Sequence, residues 1–369
     1  GMTKTSDIII IGGGMAGVSA AAKLSPHASV TVLEREPSLG YHSTGRSAAI
    51  FIRNYGNATL RALNVIAEPE FIEPIGISDR TLLSPRGQLL FGDDSEIDKL
   101  QSYADGSDGL VWLSQAETLE MVPILRIERV ASSIYEHSAQ EIDVDRMLQG
   151  YARLARANGA QIELAQGVES VGFTEGIWTL RTAKDTFQAP VVINAAGAWA
   201  DNLAVIAGLG RMNLSPLRRS AVMIPSPTGY DTGQWPVFAD IAETFYAKPG
   251  AGRIMISPAD EDPVEPHDAW AEDMVLAEGI DRYERAVTVP VTRVERNWAG
   301  LRTFAPDRTP VVGFDRRAQG FFWLAGQGGY GIQTAPALSQ ITADLVLGRA
   351  GSIKADILAA IAPDRFLDI

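Results

Sequence analysis

The stretch Asp7-Ile8-Ile9-Ile10-Ile11-Gly12-Gly13-Gly14-Met15-Ala16-Gly17, answered by Val30-Thr31-Val32-Leu33-Glu34, decides how this 369-residue chain is read. A β-branched run ends in glycines spaced G-x-G-x-x-G, a small-residue stretch from Val18 to Leu24 follows, and a second apolar run closes on an acid. The pattern predicts strand, tight turn, helix and second strand, the opening unit of a dinucleotide-binding fold. Gly12 is expected to permit the turn, Gly14 to let a pyrophosphate approach the backbone, and Gly17 to let helix and strand pack closely. The helix start at Met15 and Ala16 offers N–H groups and partial positive charge to phosphates. Glu34 is placed to accept hydrogen bonds from a ribose diol, and its charge would repel a 2′-phosphate.

Composition narrows the class. With 46% hydrophobic and 21% charged residues the chain has the make-up of an ordinary globular protein. A formal net charge of −13 argues against nucleic acid and anionic membrane surfaces as partners. The absence of cysteine excludes disulfides, thiolate metal sites and a cysteinyl cofactor link. Four scattered histidines (His27, His42, His137, His267) form no ligand cluster, so no metal is expected. No stretch reaches the length of an integral membrane span. The expected location is the cytoplasm, with a peripheral position on the inner membrane as the other option. Gly1 ahead of Met2 reads as an expression scar.

Apolar spacing predicts a helix over 59–72, and 82–91 and 109–113 read as strands. Ser114 with Glu117 forms a capping box for a helix to Met121. Asp143 or Asp145 caps an amphipathic helix with Met147, Leu148, Tyr151, Leu154 and Ala155 inward, stopped at Asn158-Gly159. Short strands are expected over 161–164, 168–173, 178–182 and 186–189. A buried strand then runs from Pro190 into Asn194-Ala195-Ala196-Gly197-Ala198-Trp199 and another helix. Residues 216–300 alternate in β fashion and carry a loop, 257–273, dense in Pro, Asp and Glu, read as solvated. The tail repeats the opening pattern: strand 320–326, glycine turn, helix 332–347. The fold class is therefore α/β, a Rossmann-like, discontinuous, glutathione-reductase-type nucleotide domain with a second α+β substrate domain on a mixed β-sheet. The expected division assigns 1–80, 143–215 and 300–369 to the first and 81–142 and 216–299 to the second.

Five collinear motifs carry a resemblance. The N-terminal glycines, Tyr41-His-Ser-Thr-Gly-Arg46-Ser-Ala-Ala, Asn194-Ala-Ala-Gly-Ala-Trp199, Trp298-Ala-Gly-Leu-Arg302 and Gly326-Gln-Gly-Gly-Tyr330-Gly-Ile-Gln-Thr334 resemble the FAD-dependent D-amino-acid oxidase superfamily. Within it they look most like bacterial D-arginine dehydrogenase and its neighbours. The resemblance implies non-covalent FAD rather than a nicotinamide. It puts Glu34 and Arg35 at the adenosine end with Val168 near the adenine. It runs Ser43, Thr44, Arg46, Ser47 and Ala48 beside the flavin, together with Ala195, Ala196, Gly197, Trp199, Gly300 and Arg302. It places Gly328, Gly329, Tyr330, Gly331, Ile332 and Gln333 at a helix N-terminus by the pyrimidine edge, where a dipole stabilises the charge of a reduced flavin.

The same resemblance implies a substrate site. Arg219 and Arg302 match the family's carboxylate-binding arginines, and a guanidinium fits a carboxylate bidentately. Tyr246 and Tyr55 match its pocket tyrosines, and Gly329 would offer a carbonyl to the substrate amine. Three departures bear on the side chain. Gln88 stands where D-arginine dehydrogenase has a cation-pairing glutamate, and Ile50 where the family has a histidine; Ile52 replaces a threonine. A neutral amide cannot neutralise a guanidinium, so a neutral or apolar D-amino acid is expected. The expected reaction oxidises its CH–NH2 group by hydride transfer to flavin N5, giving an imino acid that hydrolyses to a 2-oxo acid and ammonia. O2 or a quinone-type acceptor would reoxidise the flavin. The same clamp would serve a sarcosine- or glycine-type amine oxidase or a 2-hydroxy-acid dehydrogenase, and a non-catalytic flavin-binding protein is the reading from another class.

Overall fold

The computed structural model describes residues 2–42, 44–46 and 49–367. At its centre is a six-stranded sheet in the order Gln161–Glu163, Val30–Leu33, Ile8–Ile11, Val191–Asn194, Phe321–Ala325, Val311–Phe314. The first five strands are parallel and the last is antiparallel. A parallel sheet covered on both faces needs strands apolar on both sides, which is why Ile8–Ile11 is a continuous run. Ile8 and Ile10 pack among helices Met15–Leu24, Val144–Ala157 and Ala335–Val346. Ile9 and Ile11 face the other way, onto Trp178, Leu180 and Phe187. Those three belong to a four-stranded sheet, Thr3–Thr5, Thr186–Ala189, Ile177–Arg181, Ser170–Thr174.

The second sheet is mixed and has nine strands. Its backbone order is Asp262–Pro263, Ser215–Pro225, Arg253–Ser257, Tyr246–Pro249, Val237–Asp240, Gln88–Gly92, Ser132–Glu136, Leu110–Ser114, with Arg296–Phe304 also on Ser215–Pro225. Only Val237–Asp240 and Gln88–Gly92 pair in parallel. The period-2 alternation of a strand divides its residues between two faces. Leu89, Phe91, Val222, Phe238, Ile254 and Ile256 turn to the back, where helix Asp273–Ala286 covers them with Leu276 and Tyr283. Gln88, Leu90, Ala221, Val237, Ala239, Tyr246 and Met255 turn to the front and line a cavity. A small sheet of Ile50–Phe51, Gln140–Ile142 and Leu83–Pro85 joins the two halves. Among the described residues no helix is long and apolar enough to cross a membrane.

Several predicted elements appear with their predicted caps. Ser114 and Glu117 exchange both bonds of the capping box at helix Gln115–Met121. The Asp143 carboxylate accepts from Arg146 N–H at the start of Val144–Ala157, whose Met147, Leu148, Tyr151 and Ala155 are buried. The helix expected over 59–72 is found as Ala58–Ile72, with a cap that was not expected: Asn57, which accepts from Leu60 N–H.

Four expectations are corrected. The strand-like run 82–91 is two strands in different sheets, broken at Gly87, whose φ of +81° is open to glycine but strained for other residues. Asp273–Ala286, within the stretch read as β, is a helix. Its signal was blunted because an interface position is Gly279, where a Cβ would stand 3.0 Å from the Pro258 ring; glycine in a helix interior reads against helix. Ile97–Asp105 is a further, unanticipated helix, with Leu100 its one buried residue. The last long helix starts at Ala335 rather than Ile332, after a 3-10 turn over Gly328–Tyr330, because Pro336 fits only the first turn.

The crossing of helix Met15–Leu24 over its strand rests on Gly17, where a Cβ would lie 1.9 Å from Gly12 O. We expect Gly17→Ala to destabilise the chain by about 1–3 kcal/mol or more, read as a lower denaturant midpoint at unchanged slope.

Candidate functional site

The cavity measures about 1370 Å³. It lies between the carboxyl ends of the parallel strands and the front face of the mixed sheet. A cleft for one small ligand holds roughly 300–1,000 Å³, so there is room here for a dinucleotide and a second molecule.

At the nucleotide end the backbone is packed so tightly that side chains are excluded. Gly12 has φ of +122°, and a Cβ there would stand 2.0 Å from Ala195 O. Gly14 caps helix Met15–Leu24, and the atom nearest a Cβ at that position is the Thr44 hydroxyl at 3.3 Å. Thr44 Oγ1 accepts from Met15 N–H at 3.0 Å, holding the arm loop against the helix start. Glu34 is 8% exposed; its Oε1 accepts from Gly13 N–H at 3.0 Å and its Oε2 from Glu36 N–H at 2.8 Å. Each carboxylate oxygen keeps a lone pair for a ribose hydroxyl. Arg35 lies over the Trp199 ring, 4.5 Å from its centroid, and His42 packs against the same indole. A bare glycine cradle at a helix start, an anchored acid and a flat cationic wall fit the dinucleotide the sequence implies.

Nearly all the expected nucleotide residues line the cavity: Gly12, Gly14, Met15, Ala16, Glu34, Arg35, Thr44, Arg46, Val168, Ala195, Ala196, Gly197, Trp199, Gly300, Arg302 and Gly328 to Gln333. Gly17 does not; it sits at the helix–strand contact, as its spacing implied. Ser43, Ser47 and Ala48 lie outside the described residues. Gln333 is buried, and its amide is committed to Ile52 N–H at 3.2 Å and Asn64 Oδ1 at 2.9 Å, which ties the Ile50–Ile52 segment to the start of the last long helix.

The candidate substrate residues Ile50, Tyr55, Gln88, Arg219, Tyr246, Arg302 and Gly329 also line it. Arg219 and Arg302 sit on paired antiparallel strands, with Arg219 opposite Gly300 and Leu217 opposite Arg302. Arg302 packs so closely on Gly329 that a Cβ there would meet its Nη1 at 2.8 Å. Burial works against the Arg302 charge, but Tyr55 and Tyr246 hold its pKa above the ordinary arginine value. Burial would likewise raise the Tyr246 phenol; Arg219 and Arg302 instead draw it below the ordinary value. Tyr55 and Tyr330 stack at 4.7 Å between ring centroids.

Arg308 and Glu261 also line the cavity and were not foreseen. Glu261 Oε1 is 2.9 Å from Arg308 and 3.5 Å from Arg219. The acidic stretch is thus no freely solvated loop. Asp260 accepts from Ser220 N–H and Oγ–H, Asp262 and Glu272 pair with Arg218, and Asp268 pairs with Arg46. Only the run of acids was visible beforehand; the arginines that receive it lie far away in sequence. Among the described residues no group of three His, Asp or Glu side chains is arranged to hold a metal ion.

Comparison with known proteins gives a consistent result. A family model described as DAO, FAD dependent oxidoreductase, matches residues 7–345. The chain is 25% identical over 364 residues to a glycine oxidase of Geobacillus kaustophilus, covering 94% of each. It is 26% identical over 363 residues to a glycerol 3-phosphate dehydrogenase of Caloramator mitchellensis, covering 94% of this chain and 75% of that protein. The crystal structure of glycine oxidase from Geobacillus kaustophilus superposes with a TM-score of 0.84 at 22% identity, over 99% of this chain and all of the other. An FAD-bound L-alpha-glycerophosphate oxidase from Mycoplasma pneumoniae gives 0.85 at 18% identity, over 93% and 95% of the two chains.

The Tyr246 environment is open to direct titration. Subtracting the ultraviolet pH titration of Tyr246→Phe from that of the parent should isolate a phenol ionising below the ordinary value of about 10. Arg302→Met should move that ionisation upward, because it removes one of the two cations that favour the phenolate.

Proposed function

Because the chain belongs to the DAO family of FAD-dependent oxidoreductases, we propose that its substrate is a D-amino acid with a neutral or apolar side chain, oxidised at the CH–NH2 group. The observation that carries this reading is Arg302. Its guanidinium sits in the cavity wall with Tyr55, Tyr246 and Tyr330 around it, and among the described residues no carboxylate pairs with it. A small acid's carboxylate supplies the missing counter-charge, accepts hydrogen bonds in the geometry a guanidinium prefers, and is recognised where water is scarce.

The remaining residues follow from that anchor. Arg219 would steady the carboxylate from the adjoining strand, with Tyr246 between the two cations. The Gly329 carbonyl would accept from the amine and orient the Cα–H bond. The side chain would extend along Ile50, Ile52, Leu90, Val237, Ala239 and Met255, which are apolar and line the cavity. Gln88 is neutral, so a cationic side chain would enter without a charge partner there, at a cost of several kcal/mol. FAD, held by the glycine turn, Glu34 and the Gly328–Gln333 segment, would supply the two-electron acceptor for the hydride of the substrate carbon. The amine lone pair becomes the C=N bond of an imino acid, and water then releases ammonia and a 2-oxo acid. The chain's contribution is positioning and charge stabilisation. O2 or a quinone-type compound would receive the electrons afterwards.

The likeness to a glycine oxidase along both full chains favours, as second reading, a small amine such as glycine or sarcosine held by the same arginines.

Anaerobic stopped-flow mixing with D-, L- and N-methyl amino acids and 2-hydroxy acids, watching flavin absorbance, separates these readings. We expect D-leucine, D-methionine or D-phenylalanine to bleach the flavin fastest. Faster bleaching by D-arginine would refute the Gln88 argument, faster bleaching by sarcosine or glycine would select the second reading, and no bleaching by any would refute catalysis. Arg302→Ala should keep its flavin but raise KM by about 10²–10³-fold, as expected when one partner of a desolvated charge pair is lost; an unchanged KM removes Arg302 from the site.

A further inference from the structure

Gln88 and Glu136 face each other directly across two antiparallel strands, Gln88–Gly92 and Ser132–Glu136. Residues so opposed project to the same side of the sheet with Cβ atoms about 4.5–5.5 Å apart. Gln88 lines the cavity, while Glu136 beside it on the same face is 2% exposed. Both carry a buried acceptor with no donor: Oε1 of Gln88 and Oε2 of Glu136. Two neighbouring orphaned acceptors are costly, since each forfeits its hydration without replacement.

The groups around Glu136 do not relieve it. Asn54 Nδ2 donates to Oε1 at 2.9 Å and to the Asp108 carbonyl at 2.8 Å, and Asn54 Oδ1 accepts from Asp108 N–H, so that amide is fully used. Arg53 exerts a favourable charge effect on Glu136, but its own hydrogen bonds go to Glu68. The Asn54 backbone N–H and the Ser138 hydroxyl add weaker hydrogen bonds to the carboxyl, yet Oε2 keeps no partner. From the helix Ile97–Asp105 comes Tyr103, a half-buried, cavity-lining phenol with Arg61 and Glu243 nearby. Leu110 is the residue opposite Glu136 on its other side.

One proton satisfies both orphans. We propose that Glu136 is a positioning residue: as a neutral acid it donates its O–H to Gln88 Oε1, which turns the Gln88 amide nitrogen toward the substrate side chain. The pocket end then presents N–H donors, which favour a neutral side chain carrying an acceptor, such as an ether, thioether or carbonyl group, over its all-carbon isostere. This rests on the D-amino-acid reading above and names its side chain. The electrostatics agree with the geometry: burial raises the Glu136 carboxyl to about 7, against the pull of Asn54. Below that pH the acid form and the donor-presenting amide prevail. Above it the carboxylate accepts from the Gln88 amide nitrogen instead, so the amide turns over and presents Oε1 to the pocket.

The test compares D-amino acids with their all-carbon isosteres, O-methyl-D-serine against D-norvaline and D-methionine against D-norleucine. The ratio of kcat/KM within a pair cancels titration of the α-amine and the flavin. In the holoenzyme we expect the acceptor-bearing member to lose about 5–10-fold of its advantage between pH 6 and 8.5, the worth of one hydrogen bond. Glu136→Gln, whose amide donates as the acid does, should hold the low-pH ratio at both ends. Independently, infrared spectra of the parent should show a protonated-carboxyl band that vanishes through neutral pH and is missing from Glu136→Gln. If that variant folds poorly, the parent's infrared titration stands, and Gln88→Leu should give a ratio that does not vary with pH. A pH-independent ratio in the parent, an unaltered pH dependence in Glu136→Gln, or no titrating band overturns the inference. Failure of every D-amino acid to reduce the flavin would instead refute the reading on which it rests.

Discussion

Three backbone segments meet at Gly12 more closely than any side chain permits, and the rest of the architecture is arranged around that contact. A Cβ on Gly12 would enter the Ala195 carbonyl, and one on Gly17 would enter the Gly12 carbonyl. Strand Ile8–Ile11 can therefore lie between its parallel neighbours while the following helix passes directly over it. The carboxyl ends of the strands then open onto one cleft, the usual place for a ligand in such sheets. The mixed sheet closes that cleft from the opposite side, because its strands send alternate residues into the core behind and the cavity in front.

The cavity does not share the acidic balance of the whole chain. The formal net charge is −13, whereas the arginines Arg35, Arg46, Arg219, Arg302 and Arg308 line the cavity together with the acids Glu34, Glu169, Asp240, Glu243 and Glu261. Overall sign governs long-range encounters and solubility, whereas a binding site is set by the groups within a few ångströms. The acidic stretch reconciles the two scales. Glu261 and Asp268 pair with the cavity arginines Arg219, Arg308 and Arg46, whereas Arg302, beside Tyr55 and Tyr246, has no ion pair among the described residues.

The nucleotide half was legible because each of its demands excludes most residue types. A turn with positive φ, a close backbone approach and an acid at the end of the next strand leave glycine and Glu34 as a recognisable pattern. Caps were legible for the same reason: Ser114 with Glu117, and Asp143, satisfy helix donors by chemistry visible in four residues. What stayed hidden was long-range or negative. Gly279 masks a helix by being small where Pro258 approaches, and no local pattern announces that. Glu261 and Arg308 are ordinary surface residues until the fold sets them beside Arg219. The orphaned oxygens of Gln88 and Glu136 depend on strand register, which the sequence does not print.

That register has a wider consequence. Arg219 and Arg302 keep their spacing because Ser215–Pro225 and Arg296–Phe304 are hydrogen-bonded in one alignment, with Arg219 across from Gly300. Shifting either strand by a single residue would send its arginine through the sheet to the opposite side. Insertions and deletions are thus unequal along this chain. Between Pro225 and Val237 the polypeptide can lengthen at little cost to the proposed clamp, whereas one residue added inside either ladder would separate Arg219 from Arg302 while leaving both side chains present.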